Sequence, residues 1–379
     1  MFEYSVLKLI WWLFVGVLLL GFSIMDGHDM GVGTLLPFVG RSDDERRVVI
    51  NTVGPHWDGN QVWFILGGGA IFAAWPLVYA TAFSGFYWAM LAVLWSLFFR
   101  PVGFDYRSKI ESKTWRNTWD WGLFIGGFVP PLIFGVAFGN LLQGVPFHFD
   151  NDLRSFYTGS FWALLNPFAL LAGLVSTSMI TAHGANFLLI RTEGDVYRRS
   201  RSASILFSSL SILLFALAGL WVMHGISGYV LTSGDLPDAL PNPLDKTVVM
   251  QAGAWMHNFH AWPLTWLVPA AGFVGAVMSI LFAIGHKPVL AFVSSATSML
   301  GVIGTAGVAM FPFVMPSSSD PRSSMTVWDS VSSQTTLSLM FWATLIFLPL
   351  VIFYTSWAYK VMSGKVTLDF IKGHDHSAY

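Results

Sequence analysis

Apolar residues run along this chain in long blocks, each closed by charges or turn residues, and that pattern sets the fold before any motif is read. Nine blocks stand out, over 9–36, 60–76, 80–99, 121–143, 160–189, 203–230, 260–284, 288–312 and 336–359. A helix needs about 20 apolar residues to cross a bilayer, so each block is a candidate span. The second and third come from one charge-free stretch, Gly59 to Phe99, whose 41 residues are about twice the length of one span. Trp75-Pro76 breaks it, and a tight hairpin is the expected result. The pattern predicts an all-α polytopic membrane protein of nine transmembrane helices. It forms a single helical domain over 1–362, followed by a polar, mobile tail over 363–379 that carries His374-Asp375-His376.

The charges test this count. If the spans alternate, the loops 41–59, 100–120, 191–202 and 285–288 and the C-terminal tail share one side and hold 16 of the 20 Lys and Arg residues. The other side keeps Lys8, Arg154, Lys246 and Arg322. Such an asymmetry places the N-terminus in the periplasm and the C-terminus in the cytoplasm. The first apolar run is too long for a signal-peptide core and lacks a basic leader, so it is expected to remain as a span. The outward loops 144–159, 231–259 and 313–335 are rich in Pro, Ser, Gly and Asn, and none is long enough for a separate soluble domain.

Composition agrees: 54% of the residues are hydrophobic and 11% charged, against about 25% charged in soluble domains. A net charge of −1 gives no case for nucleic acid. The chain has no cysteine, which excludes disulfides, thiolate metal sites and cysteine nucleophiles. Nothing resembles a phosphate-binding loop, a dinucleotide fingerprint or a zincin site, and no metal site is expected.

The apolar pattern is broken where it costs most. The second half of the first block reads Asp26-Gly27-His28-Asp29-Met30-Gly31, and an ionised group near mid-membrane costs about 2.5–3.5 kcal/mol even on lenient scales. Asp26 and Asp29, three apart, share a helix face. His56-Trp57-Asp58-Gly59-Asn60-Gln61-Val62-Trp63 opens span two on the cytoplasmic side and meets the same region. Two readings stand side by side. Asp58 or Asn60 caps the helix and the acids form interhelical hydrogen bonds or an ion pair to Arg100, or carboxylates and imidazole at successive depths form a proton relay. Arg100 either snorkels at the interface or belongs to that relay. Asp105 and Arg107 either pair on the surface or mark its mouth. His183 and His224 fall toward opposite sides of the membrane, and His257 and His260 at the outer boundary, so none is favoured as a haem ligand. Gly27 and Gly31 read as helix packing.

The strings WWLFVGVLLLGFSIMDGHDMGVG, PHWDGNQVW, AAWPLVYATAFSGFY, SLFFRPVGFDYRSKI, FVPPLIFGVAFGNLLQGVPF and AMFPFVMPSS closely resemble subunit II of the bacterial cytochrome bd quinol oxidases, from the first residues to about Met362. The resemblance implies two four-helix bundles plus one further helix, packed against a similarly folded subunit I in the inner membrane. It implies a complex that oxidises quinol, reduces dioxygen to water and builds a proton gradient with cytoplasmic protons. Two haems b and one haem d, with the quinol oxidation site, would belong to subunit I. This chain would stabilise that subunit and supply a proton route through Asp58, with Asp26, Asp29, His56, Arg100 and Asp105 nearby, and a dioxygen route near Trp63. A small single-span subunit, membrane lipid, and a quinone or lipid held structurally in this chain remain open. His28 departs from the apolar aromatic that relatives often carry. Set against this are a proton-coupled secondary transporter, using Asp26, Asp29 and Asp58 between helices, and a pure scaffold.

Overall fold

The structure, a computed structural model, describes residues 2–234 and 237–373. The expected His374-Asp375-His376 end of the tail lies outside the described residues. The first helix, α1 (Tyr4–Val39), is about 54 Å long at 1.5 Å per residue and exceeds the hydrocarbon core at both ends. After it comes α2 (Asp43–Val53), an amphipathic helix where only a loop was expected. Its signal was present: Ser42 accepts from the Glu45 backbone N–H, and the Glu45 carboxylate accepts in return from the Ser42 backbone N–H.

The charge-free stretch does break at Trp75-Pro76, but differently from the expected hairpin. α3 (Trp57–Ala74) is followed by α4 (Pro76–Gly85) at a 120° bend. Pro76 sits at the first position of α4, where its missing N–H costs nothing. The next membrane-length segment is therefore Tyr87–Lys109, comprising α5 (Tyr87–Leu97), α6 (Phe99–Tyr106) and one further turn, instead of 80–99. Then come α7 (Lys113–Gln143), α8 (Pro167–Arg191) and α9 (Gly194–Gly225). A short α10 (His257–Ala261) precedes α11 (Leu267–Ile284), α12 (Pro288–Met310) and α13 (Gln334–Val361). Several block edges move: α7 begins at Lys113 and α9 at Gly194, ahead of the expected 121 and 203. Residues 160–166 lie outside α8, which Asn166 caps, and 226–230 leave the expected sixth span to begin a strand. Among the described residues eight helices are long and apolar enough to cross a membrane, or nine with the bent α3–α4 pair counted as one.

The loops expected on the outer side correct the all-α expectation. They hold three antiparallel hairpins, β1 (Phe147–Phe149) with β2 (Ser155–Tyr157), β3 (Ser227–Ser233) with β4 (Thr247–Ala252), and β5 (Phe313–Met315) with β6 (Met325–Thr326). Pairing satisfies backbone groups that span-to-span connections would otherwise leave open. These loops close over the start of α1. Lys8, fully buried, donates to the carbonyls of Pro237, Ala239 and Trp328 at 2.7, 3.1 and 2.8 Å, which is how a cation sits on the sparsely basic side. The tail is likewise not free as far as it is described: Val366 and, in α14 (Leu368–Gly373), Ile371 pack on Val48 of α2.

α8, α9, α11 and α12 close into a four-helix ring, while α1 touches α3, α7, α8, α12 and α13 and so occupies the centre of the molecule. The approach of α1 to its neighbours is limited by backbone alone. A methyl group at Gly31 would strike backbone atoms of Ile180 and Gly184, and one at Gly127 would strike Met30, Gly33 and Thr34. Without a hydrophobic force between helices in lipid, such close contact is the main source of association. Gly184→Val is therefore expected to lower the thermal midpoint of the detergent-solubilised protein, the overpacking costing about 1–3 kcal/mol or more. Gly219→Ala, where a methyl meets nothing within 4 Å, should leave it unchanged. Paired melting curves of the two variants check this.

Candidate functional site

One turn of α1 carries Asp26, His28 and Asp29, and packing turns all three into protein, each at most 2% exposed. Asp29 lies about 15 Å of helix from the end of α1, inside hydrocarbon depth. Three other segments meet this turn: the start of α3 with His56 and Asn60, α6 with Arg100, and the last turns of α13 with Tyr359.

Arg100 is buried and chooses one of the two acids. Its Nη1 and Nη2 donate to Asp26 Oδ2 at 3.0 Å and Oδ1 at 2.5 Å, a bidentate pair, while Nη2 stays 4.0 Å from Asp29 Oδ2. Gly126 leaves room for the stem, and the guanidinium lies 5.5 Å from the Trp57 ring, which stacks on Phe104. Snorkelling is thus not its role.

Asp29 is held instead by an amide. Asn60 Nδ2 donates to Asp29 Oδ2 at 2.7 Å, and Asn60 Oδ1 accepts from the Tyr359 hydroxyl at 2.9 Å. His56 stacks on Tyr359 with centroids 4.7 Å apart. The capping reading fails for both polar residues of α3: the helix starts at Trp57 with no side-chain cap, Asn60 is committed to the cluster, and Asp58 is exposed on the first turn. Asp58 is still near enough to Arg100 to act on it electrostatically.

Asp105 also faces outward on α6. The expected surface pair with Arg107 does not form, because Arg107 is buried and drawn to a stronger partner. Its Nε and Nη2 donate to Asp120 at 2.5 and 3.1 Å, and Nη2 donates to Asp43 at 2.9 Å. Arg46 adds a 2.7 Å contact to the same Asp120, tying α2, α6 and α7 together below the cluster. Trp63 is half-buried against Gly21 of α1, packed with Phe22 and Met179 in an apolar patch.

Behind the acids, His183 has its Nδ1 2.7 Å from Ser295 Oγ and donates from Nε2 to the Ile24 carbonyl at 3.1 Å. That carbonyl also accepts from His28 Nδ1 at 3.0 Å. Both nitrogens of His183 are engaged, so it has none to offer an iron. His224, His257 and His260 are exposed. Beside Trp63 opens a cavity of about 580 Å³, lined almost wholly by apolar groups including Phe134, Met179, Phe215, Met223, Phe259 and Phe273.

Of the residues singled out in the sequence, Asp26, Asp29, His56 and Arg100 come together, Asp58 and Asp105 stand at the surface, and Trp63 packs on Phe22 and Met179, which line the cavity. Tyr359 was missed, since next to Trp357 and Lys360 it reads as part of an interfacial belt. Asn60 was singled out only as a cap, and His28 as the imidazole beside the two acids and a departure from relatives. The arrangement can hold charge and pass protons between neighbouring oxygen and nitrogen atoms. Arg100→Leu should destabilise the protein by about 3–5 kcal/mol, because two buried carboxylates lose their cation, and adding Asp26→Leu should recover part of it. Chemical or thermal unfolding of both variants in detergent measures this.

Residues 7–362 match the family model described as Cytochrome bd terminal oxidase subunit II. The chain is 56% identical over 379 residues, covering 100% of both chains, to "Cytochrome bd-I ubiquinol oxidase subunit 2" of Escherichia coli K12. It is 52% identical over the same full span to "Probable cytochrome oxidase subunit 2" of Haemophilus influenzae. It is 32% identical over 359 residues, 94% of this chain and 96% of the relative, to "Cytochrome bd ubiquinol oxidase subunit 2" of Bacillus subtilis. Its fold is similar, with a TM-score of 0.68 at 14% identity, to a chain of the bd oxidase from Geobacillus thermodenitrificans, covering 94% of this chain and 98% of that one.

Proposed function

Because this chain belongs to the cytochrome bd terminal oxidase subunit II family, we propose that it serves as the proton-supplying and stabilising subunit of its quinol oxidase. The oxidase is a terminal enzyme of the respiratory chain in the bacterial inner membrane, it uses quinol and haem, and this chain works beside a subunit I. The transporter reading has no support beside that membership.

In this reading the chain crosses the membrane nine times, with the N-terminus in the periplasm and the C-terminus in the cytoplasm, and α3 with its bent continuation α4 counts once. The charge asymmetry of the loops and the burial of Lys8 under outer loops support that topology. Two haems b and one haem d, together with the quinol oxidation site, reside in subunit I. The commitment of both His183 nitrogens and the exposure of His224, His257 and His260 support this, as none of these four offers an axial imidazole to a buried haem. No step is assigned to haem within this chain. A small single-span subunit and lipid are further neighbours. The exposed Leu213 and Leu217 of α9 and Ile346, Phe347 and Phe353 of α13 offer apolar surface for either.

The observation that carries the proton reading is the allotment of one cation among two buried acids. Arg100 neutralises Asp26, which leaves Asp29 with an amide partner and no cation closer than 4.0 Å. A buried charge left in that condition is costly, so Asp29 is the group placed to take up and release a proton. Asp58 and Asp105 collect protons from the cytoplasm, His56 and Asn60 bridge Asp58 to Asp29, and the Asp26–Arg100 pair holds the field beyond. Dioxygen approaches along the apolar patch beside Trp63.

Removal of the relay acid should separate a route from a scaffold. In the complete complex, Asp29→Asn is expected to cut quinol oxidase turnover by about 10²-fold, the low end for loss of a general acid–base, while the reduced-minus-oxidised haem spectrum stays intact. Asp58→Asn should cost less, because water reaches an exposed position. Normal turnover in both variants would reduce the acids to structural pairs.

The cavity beside Trp63 holds, in the same reading, a quinone or lipid chain as a structural ligand. Its volume of about 580 Å³ and apolar lining suit an isoprenoid or acyl tail. Organic extraction of the purified complex followed by mass spectrometry is expected to find such a molecule, and Gly219→Phe, which adds a ring at a lining position where a Cβ meets nothing within 4 Å, should deplete it.

A further inference from the structure

Four lone pairs converge on one point in the buried cluster. His28 Nδ1 faces the Ile24 carbonyl, which only accepts, so that nitrogen carries the proton and Nε2 turns a lone pair inward. Nε2 lies 3.3 Å from Asp29 Oδ1, a buried oxygen that no hydrogen-bond donor reaches among the described residues. His56 is fixed by a backbone hydrogen bond with Thr52 and places Nδ1 3.7 Å from the same oxygen. The Tyr359 hydroxyl spends its proton on Asn60 Oδ1, which leaves the phenol oxygen 3.3 Å from His28 Nε2 and 3.5 Å from His56 Nδ1. The two imidazole nitrogens and the carboxylate oxygen all lie within 4.8 Å of one another. His56 Nδ1 has one donor in reach, Asn60 Nδ2 at 3.2 Å, but His28 Nε2 and Asp29 Oδ1 face each other as acceptors at 3.3 Å and repel unless something positive sits between them.

The spacing says what kind of cation fits. A zinc ion with bonds of about 2.0–2.1 Å holds tetrahedral ligands about 3.3–3.4 Å apart, and the four contacts above run from 3.3 to 3.7 Å. Two imidazoles, a carboxylate and a phenol suit a borderline divalent ion, whereas calcium or magnesium asks for more oxygen ligands. The outer contacts are those of a metal site as well. The Ile24 carbonyl orients His28, and Asn60 Nδ2 holds the second oxygen of Asp29. Asn60 Nδ2 also lies 3.2 Å from His56 Nδ1, a neutral contact that a metal bond would replace.

We propose that His28 Nε2, Asp29 Oδ1, His56 Nδ1 and Tyr359 Oη form a buried site for one divalent zinc-type cation, joining α1, the start of α3 and α13. It has no sequence signature, its ligands falling at 28, 29, 56 and 359 with no spacing motif. The site would clip α13, which otherwise leans on the molecule through few buried side chains, Leu337 and Phe341 at its far end. It shares Asp29 and His56 with the proposed proton route but does not depend on that route.

The test is elemental analysis of the intact complex, purified, stripped with EDTA, reloaded with ZnCl2 at micromolar concentration and passed through gel filtration. Roughly one zinc per complex is expected in the unmodified protein. His28→Phe and Tyr359→Phe should each weaken zinc binding by about 100-fold or more, with haem content unchanged as the check on folding. Absence of retained zinc in the unmodified complex, or equal retention in both variants, would overturn the proposal. If zinc is absent while Asp29→Asn still slows turnover, the route stands and the acceptors share a proton instead of a metal.

Discussion

The closeness with which α1 meets α7 and α8 governs everything built around it. Gly31 lies on the backbone of Gly184 and Gly127 on that of Gly33, so neither interface has room for a single methyl group. Helices held this tightly cannot slide or rotate independently, and the turn from Asp26 to Asp29 is fixed in depth and direction. Polar side chains in that turn have no path to water along the lipid face. They must find partners inside, and the neighbouring helices supply them.

The partners are unequal, and the inequality creates a site. A guanidinium fits one carboxylate with two parallel bonds, and Arg100 gives both to Asp26. Asp29, one turn away, receives an amide from Asn60 and no cation in contact. If both acids had been matched, the cluster would be a closed structural pair. One acid short of a partner, beside two imidazoles and a phenol, leaves a position for a mobile positive charge. Proton conduction and cation binding are two uses of the same shortage, which is why the proposed route and the proposed metal site share Asp29 and His56.

Separation of the ion-pair networks protects this arrangement. Arg107, Arg46, Asp120 and Asp43 satisfy one another, so that Arg107 is not available to Asp29 or Asp26. On the opposite side, Lys8 is consumed by three carbonyls of the outer loops. The interior therefore contains one unspent acid and a large apolar cavity, lined by α1 and α7 together with the ring of α8, α9, α11 and α12.

The sequence by itself determined the class of fold, the places of the apolar blocks, the break at Trp75-Pro76, the family, and the presence of Asp26, Asp29, His56 and Arg100 in one neighbourhood. Each of those follows from local pattern: run length, a proline, a three-residue spacing, a long matching string. It did not determine the 120° bend that sends α4 aside, the hairpins of the outer loops, or the burial of Arg107, since these depend on what the neighbouring chain offers. Only the tertiary structure decided which acid Arg100 would take, and that Tyr359 would reach His28 across 331 positions. Hydrophobic periodicity carries information over a few turns of helix. The choice between two carboxylates for one guanidinium is made by ångström differences in packing, and those exist only once the helices have met.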